Sequence, residues 1–229
     1  MKNRLEKNKD KEYSYGIKFD DILDFAIGAV VIGIISARIY FVFFNWDYYS
    51  QNLSEIFKIW HGGIAIYGAI IGSAIFAFIF CKKRKINFFD FADLIVPYLA
   101  LAQSIGRWGN FVNQEAFGSE TFVPWKMGIY NENLTKYIFV HPTFLYESLC
   151  TCAIALFLIY ISKKRKFKGQ IMYLYFILYG VARAIIEGLR TDSLMFADFR
   201  VSQVLSVFFV IIFGITYFRA LNSRAKAND

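Results

Sequence analysis

The sequence predicts an all-α protein, a polytopic membrane bundle of six spanning helices, and three observations carry that prediction. Of its 229 residues, 57% are hydrophobic and 20% aromatic, well above the roughly 45–50% apolar content of soluble chains. The apolar residues fall in blocks of about twenty, the length a helix needs to cross roughly 30 Å of hydrocarbon. No block alternates with the period of two that barrel strands require, whereas a continuous helix satisfies its own backbone hydrogen bonds in lipid.

In chain order the predicted spans are 21–44, 62–81, 88–106, 144–162, 170–188 and 201–218. A charged run precedes the first block, which is too long and too embedded in a multi-span pattern to be a cleaved signal peptide. Glycines open the second, the third runs into a polar glycine-rich stretch, and the fifth carries charge. Without an internal repeat, low-complexity tract or linker, the expected organisation is one integral membrane domain over 1–229. Its first part, 1–20, is a basic cytoplasmic segment.

Net charge is +8, and 18 of the 26 basic residues lie in four clusters: Lys2 to Lys18, Lys82 to Lys85, Lys163 to Lys168 and Arg219 to Lys226. Short cytoplasmic loops collect Lys and Arg, so six spans with both termini inside place all four clusters in the cytoplasm. The outward segments are then 45–61, 106–143 and 189–200. Basic strips that flank lipid spans, with no single footprint, argue against nucleic acid as a partner. Cys81, Cys150 and Cys152 read as small apolar packing residues away from any site. No His or Cys cluster has metal-ligand spacing, and no phosphate-loop or dinucleotide glycine pattern appears, so neither a metal nor a cofactor is expected.

Three stretches stand out. The first, WHGGIAIYGAIIG (Trp60–Gly72), pairs Gly68 with Gly72 at a spacing that serves close helix packing or leaves room for a substrate beside Tyr67. His61 there reads as a solvated loop histidine. The second, GRWGNFVNQEAFG (Gly106–Gly118), sets Arg107, Asn110, Asn113, Gln114 and Glu115 among Gly106, Gly109 and Gly118. Polar side chains and irregular backbone at this depth point to a cavity or a ligand, with ordinary loop polarity as the alternative. The third places Tyr179, Arg183, Glu187 and Arg190 four, four and three residues apart, on one helical face. There Arg183 and Glu187 can pair, either as a structural ion pair or as part of a site. Arg190 and Asp192 lie further out as an exposed pair. Two arginines on different helices, backed by amides and carboxylates, suit a phosphate, because guanidinium forks bind its oxygens bidentately. Arg38 reads as an interfacial anchor or a ligand.

These residues resemble the prolipoprotein diacylglyceryl transferases of bacterial plasma membranes. GRWGNFVNQEAFG is similar to the family pattern GRxGNFxNxExxG. It is joined in order by WHGGIAIYGAIIG, HPTFLYE (His141–Glu147) and RAIIEGLR (Arg183–Arg190), so the resemblance covers nearly the whole chain. It implies transfer of the diacylglyceryl group from phosphatidylglycerol to the lipobox cysteine of a preprolipoprotein signal peptide, forming a thioether and releasing glycerol phosphate. Arg107 and Arg183 match the family's essential arginines, implying roles at the headgroup phosphate and the leaving group respectively. Asn110, Asn113, Glu115, Gly118, Tyr179, Glu187 and Arg190 match as positioning and substrate-binding groups. Tyr67 stands where some members have a histidine proposed as base; a phenol is a weaker base, which favours a hydrogen-bonding role. His141 is expected to orient the outward loop. The family has a further amino-terminal span, so the six spans here correspond to its seven less the first. The resemblance implies a plasma-membrane enzyme whose site faces the outer leaflet. From the residues alone, an anionic-solute transporter and a non-catalytic lipid or signal-peptide binding protein remain alternatives.

Overall fold

A computed structural model describes residues 16–131, 135–191, 195–196 and 199–228. Most of the expected basic segment 1–20 and the residue Asp192 therefore lie outside the described residues. Among those described are the helices α1 (Phe19–Phe44), α2 (Trp46–Tyr49), α3 (Ile66–Lys83), α4 (Phe88–Val112), α5 (Thr143–Ile161), α6 (Gln170–Glu187) and α7 (Val201–Asn228). Six of the seven are long and apolar enough to cross a membrane, and they coincide with the six predicted blocks to within a few residues, apart from two C-terminal extensions. The chain is a multi-pass membrane protein. Two short antiparallel hairpins, β1 (Met127–Asn131) with β2 (Lys136–Val140) and β3 (Met195–Phe196) with β4 (Phe199–Arg200), sit in the connections.

The chain divides into two compact units, Met1–Phe91 and Ala92–Asp229. In the first, α1 packs on α3 through small residues. A Cβ on Gly68 would stand 2.5 Å from both the Ser36 carbonyl oxygen and Tyr40 Cβ, and one on Gly72 would overlap the Ser36 side chain. Close helix packing is thus what this glycine pair does, since the space beside it is filled by α1. Further along, Phe25 stacks on Phe76 at 5.7 Å and meets Phe91 edge-on at 4.8 Å. Arg84 closes that end of the unit with ion pairs to Asp21 at 3.1 Å and Asp24 at 2.5 Å.

Arg38 organises the connection from α1 to α3. Its guanidinium donates to the carbonyls of Glu55, Ile56, Gly62 and Gly63 at 2.5–2.9 Å and lies 5.1 Å from the Tyr49 ring centre. Buried at 6% exposure, it is neither an interfacial anchor nor a ligand: its donors are spent on the backbone carbonyls of this connection. Gly62 and Gly63 take φ of +85° and +78°, and a Cβ on Gly63 would come 2.6 Å from Arg38 Nη1. Both glycines are therefore demanded by this wrap.

In the second unit α4 continues without a break to Val112, which corrects the expectation of irregular backbone from 106: Gly106 and Gly109 are helical. The helix is the cheapest way to satisfy backbone groups at this depth, and glycine merely weakens it. Asp93, with no exposed surface, accepts the N–H groups of Gly169 and Met172, each at 2.8 Å, and pairs with Arg165 at 3.2 Å. A carboxylate at the first turn of α6 satisfies donors that the helix cannot satisfy itself and favours the positive end of its dipole. Helices α6 and α7 pack tightly at Gly180, where a Cβ would stand 2.7 Å from Val210. Phe176 stacks on Phe213 at 4.3 Å beside that contact. Met127, Ile129, Val140 and Phe144 form a small core beneath the first hairpin.

Candidate active site

Three helices of the second unit bring charge to one point. Glu147, in the first half of α5, is 4% exposed. Arg107 of α4 places Nε 2.6 Å from Glu147 Oε2. From α6, Arg183 Nη1 donates to Glu147 Oε1, while its Nη2 stands 2.6 Å from Glu187 Oε2. Arg190, just past the end of α6, brings Nη1 to 3.8 Å from Glu147 Oε1. Both predicted arginines thus converge on a single carboxylate that the sequence reading quoted only within HPTFLYE.

Three guanidiniums gather around Glu147, with Glu187 as a second carboxylate on Arg183, in a setting where charge is expensive to bury. Glu147 Oε2 and Glu187 Oε2 are buried and in ion-pair contact, yet neither accepts an aligned hydrogen bond among the described residues. Arg183 is held by both carboxylates and its side chain is 14% exposed; Arg107 has the single contact with Glu147 and is 24% exposed. Such a cluster can take an anion, and the less restrained Arg107 is the one free to turn toward it.

The loop after α4 extends the site. Asn110 and Asn113 donate to Glu115 Oε1 at 2.9 and 3.3 Å, with Gln114 and Ala116 in the left-handed backbone region at φ of +53° and +57°. Asn110 lies one turn from Arg107 on α4, so the amide–carboxylate group continues the same helix end. Gly118 donates its N–H to the His141 carbonyl at 2.9 Å and pairs opposite Arg190. A Cβ there would stand 2.7 Å from His141 Cβ and 2.9 Å from the Leu189 carbonyl. Glycine is what lets the segment carrying Arg190 lie this close. His141 holds the loop by backbone bonds with Gly118 and Ser119, and its ring meets the Tyr146 hydroxyl at 3.1 Å, a hydroxyl that also accepts Trp125 Nε1 at 2.9 Å.

Tyr179 stacks on Tyr175 at 5.6 Å, and Tyr175 donates its hydroxyl to Gln103 Oε1 at 2.8 Å. A ladder spaced by four, from Tyr175 through Tyr179 and Arg183 to Glu187, therefore runs up one face of α6 into the charge cluster. Arg200 donates to the Glu187 carbonyl, placing a cation at the negative end of that helix. Arg190 is not an exposed residue as expected: its side chain is 13% exposed and turned toward Glu147. Cys150 is not remote either, since it stands one turn along α5 from Glu147, unlike Cys81, which is buried in the first unit.

Tyr67 belongs to the first unit, at the start of α3, and is 37% exposed. His61, in that unit too, is 2.9 Å from Glu55 Oε2, and Lys58 is 2.6 Å from Glu55 Oε1. Those two partners, Lys58 first, hold the Glu55 carboxyl below its ordinary value. Sequence reasoning missed Glu147, Tyr175, Gln103 and Arg200. The signal for Glu147 was present, because a carboxylate within the predicted span 144–162 carries the same cost that marked Arg183 and Glu187. Among the described residues no group of three His, Cys, Asp or Glu side chains is placed to hold a metal ion.

Comparison with known proteins gives a consistent result. A family described as prolipoprotein diacylglyceryl transferase matches residues 1–219. Proteins named phosphatidylglycerol–prolipoprotein diacylglyceryl transferase are similar to this chain. The Listeria welshimeri protein is 48% identical over 207 residues, covering 87% of this chain and 75% of its own length. Its counterpart in Finegoldia magna is 48% identical over 196 residues, covering 85% and 77%. The Clostridioides difficile protein is also 48% identical over 196 residues, covering 86% and 77%.

Proposed function

The chain belongs to the prolipoprotein diacylglyceryl transferase family, and from that premise we propose that it moves the diacylglyceryl group of phosphatidylglycerol onto the lipobox cysteine of a preprolipoprotein signal peptide. The site faces the outer leaflet of the plasma membrane, and the four basic clusters lie in the cytoplasm. One observation supports the reading most directly: Arg107 and Arg183, from different helices, meet at Glu147, with Arg190 beside them.

In the reaction the cysteine sulfur attacks the glyceryl carbon that bears the phosphate ester. A C–S bond forms, the C–O bond breaks, and its electron pair leaves on the oxygen of glycerol phosphate; the thiol proton is released. Two difficulties set the barrier: making thiolate from a thiol with a pKa of about 8.5, and accepting charge on the departing phosphate. Arg107 binds the headgroup phosphate and Arg183 receives the charge that grows on the leaving oxygen, a preorganised role suited to a guanidinium already fixed by two carboxylates. Asn110, Asn113 and Glu115 orient the headgroup, while Gly118, Tyr179, Glu187 and Arg190 hold the arginines and the substrate in register. For Tyr67, which stands where some members of the family have a histidine, the role is that of a hydrogen-bond donor and not of a base.

Neither an anionic-solute carrier nor a non-catalytic binding protein is favoured, because the family is named for a transfer reaction. The deciding experiment combines purified protein in detergent, phosphatidylglycerol and a lipobox peptide. A thioether-linked diacylglyceryl peptide is expected; binding of both substrates without product would overturn the proposal.

A further inference from the structure

We propose that Glu147 is an internal counter-anion, a positioning residue whose carboxylate occupies the place on Arg107 and Arg183 that the substrate phosphate takes over. The inference rests on the functional reading above and deepens it. The carboxylate and the phosphate are the same kind of ligand to a guanidinium, planar or tetrahedral oxyanions gripped by paired N–H groups. Glu147 contacts all three arginines of the cluster, and its side chain is 4% exposed. Its two oxygens are unequally held. Oε1 accepts from Arg183, whereas Oε2 faces Arg107 at 2.6 Å without an aligned hydrogen bond.

That inequality gives an order of events. The Arg107 contact, unaligned and on the more exposed of the two arginines, yields first and lets Arg107 swing to an incoming phosphate. Arg183 keeps Glu187 as a second partner, so it stays in line when Glu147 lets go. Without substrate, Glu147 prevents three guanidiniums from repelling one another in a poorly solvated site. With substrate bound, it returns as their partner once glycerol phosphate leaves. Glu147 therefore lowers affinity for the headgroup while preserving the geometry that turnover needs, and those opposed effects distinguish it from a residue that only holds the fold.

The test is a kinetic split in Glu147→Gln. Removing the competing charge is expected to lower KM for phosphatidylglycerol by about 3- to 10-fold while kcat falls about 10²-fold, the pattern of a lost ground-state competitor combined with misaligned donors. Glu147→Asp keeps the charge but withdraws the carboxylate by one methylene. It is expected to move KM in the same direction by a smaller factor, and it carries the test if the glutamine variant does not accumulate. A residue that merely supported the fold would raise KM or leave it unchanged as kcat fell, and that result in the folded variants overturns the proposal. Direct binding of glycerol phosphate to the detergent-solubilised protein separates this idea from the functional reading. Tighter binding in either variant than in the parent supports the counter-anion role even if the parent protein transfers nothing; equal or weaker binding in both removes it whatever the turnover.

Discussion

Arg107→Lys separates charge from shape at the residue scale. Lysine keeps the positive charge but offers a point ammonium in place of the planar fork that contacts Glu147 and is proposed to bind the phosphate, so turnover is expected to fall by about 10²- to 10³-fold with the protein still folded. Steady-state transfer to a lipobox peptide measures this, and near-parental turnover would remove Arg107 from the phosphate. Tyr67→Phe asks a narrower question. Deleting the hydroxyl proposed to donate a hydrogen bond in the reaction should slow transfer roughly tenfold, the equivalent of one hydrogen bond of about 1.4 kcal/mol; unchanged rates would leave Tyr67 without a part in the chemistry. Both residues were legible in the sequence, because each is a polar group at membrane depth inside a glycine-marked stretch. Glu147 was equally polar and equally deep, but its polar neighbours along its own helix, Thr143, Ser148 and Thr151, carry no opposite charge to mark it. Its partners come from α4 and α6.

At the scale of elements, glycines and one buried arginine make opposite predictions testable. Gly109 has open space where a Cβ would go, whereas Gly180 would drive one into Val210 and the Ser206 carbonyl. Gly109→Ala should therefore leave thermal stability in detergent unchanged or raised by up to about 1 kcal/mol. Gly180→Leu should lower it by about 1–3 kcal/mol or more through overpacking of α6 on α7. If Gly109→Ala also slows transfer, the bare helix face beside Asn110 is space that the substrate uses. Arg38→Leu should release the connection between α1 and α3. Four carbonyls would lose a charged donor, each such bond being worth roughly 1.5–3 kcal/mol, so amide exchange over 55–63 is expected to accelerate while α3 stays protected. Unchanged exchange there would mean that the wrap is held by something other than Arg38.

For the whole molecule, the relevant quantity is the positive charge that three converging guanidiniums bring to one point. A headgroup with a net negative charge matches it, and one that carries its own ammonium does not. Exchanging phosphatidylglycerol for phosphatidylethanolamine should abolish product, as read by the same thioether assay; equal transfer from both lipids would contradict selection by the arginine cluster.

The sequence by itself determined the number, type and approximate limits of the membrane helices, because crossing hydrocarbon imposes one length and one backbone solution on any chain. Its motifs pointed to the family, and charged side chains in apolar runs, too costly to be incidental, marked Arg107 and Arg183 before any packing was known. Tertiary structure decided what those residues do to one another. Gly68 and Gly72 became a helix contact, Arg38 a clamp on four carbonyls, and α4 ran on through Gly106 and Gly109. The hairpin from Met127 to Val140 was not foreseen because five-residue strands carry little periodicity of their own. Above all, pairing across helices has no signature along the chain. Periodicity placed Arg183 beside Glu187 within α6, but only packing of α4, α5 and α6 could put Arg107 and Arg183 on the two oxygens of Glu147.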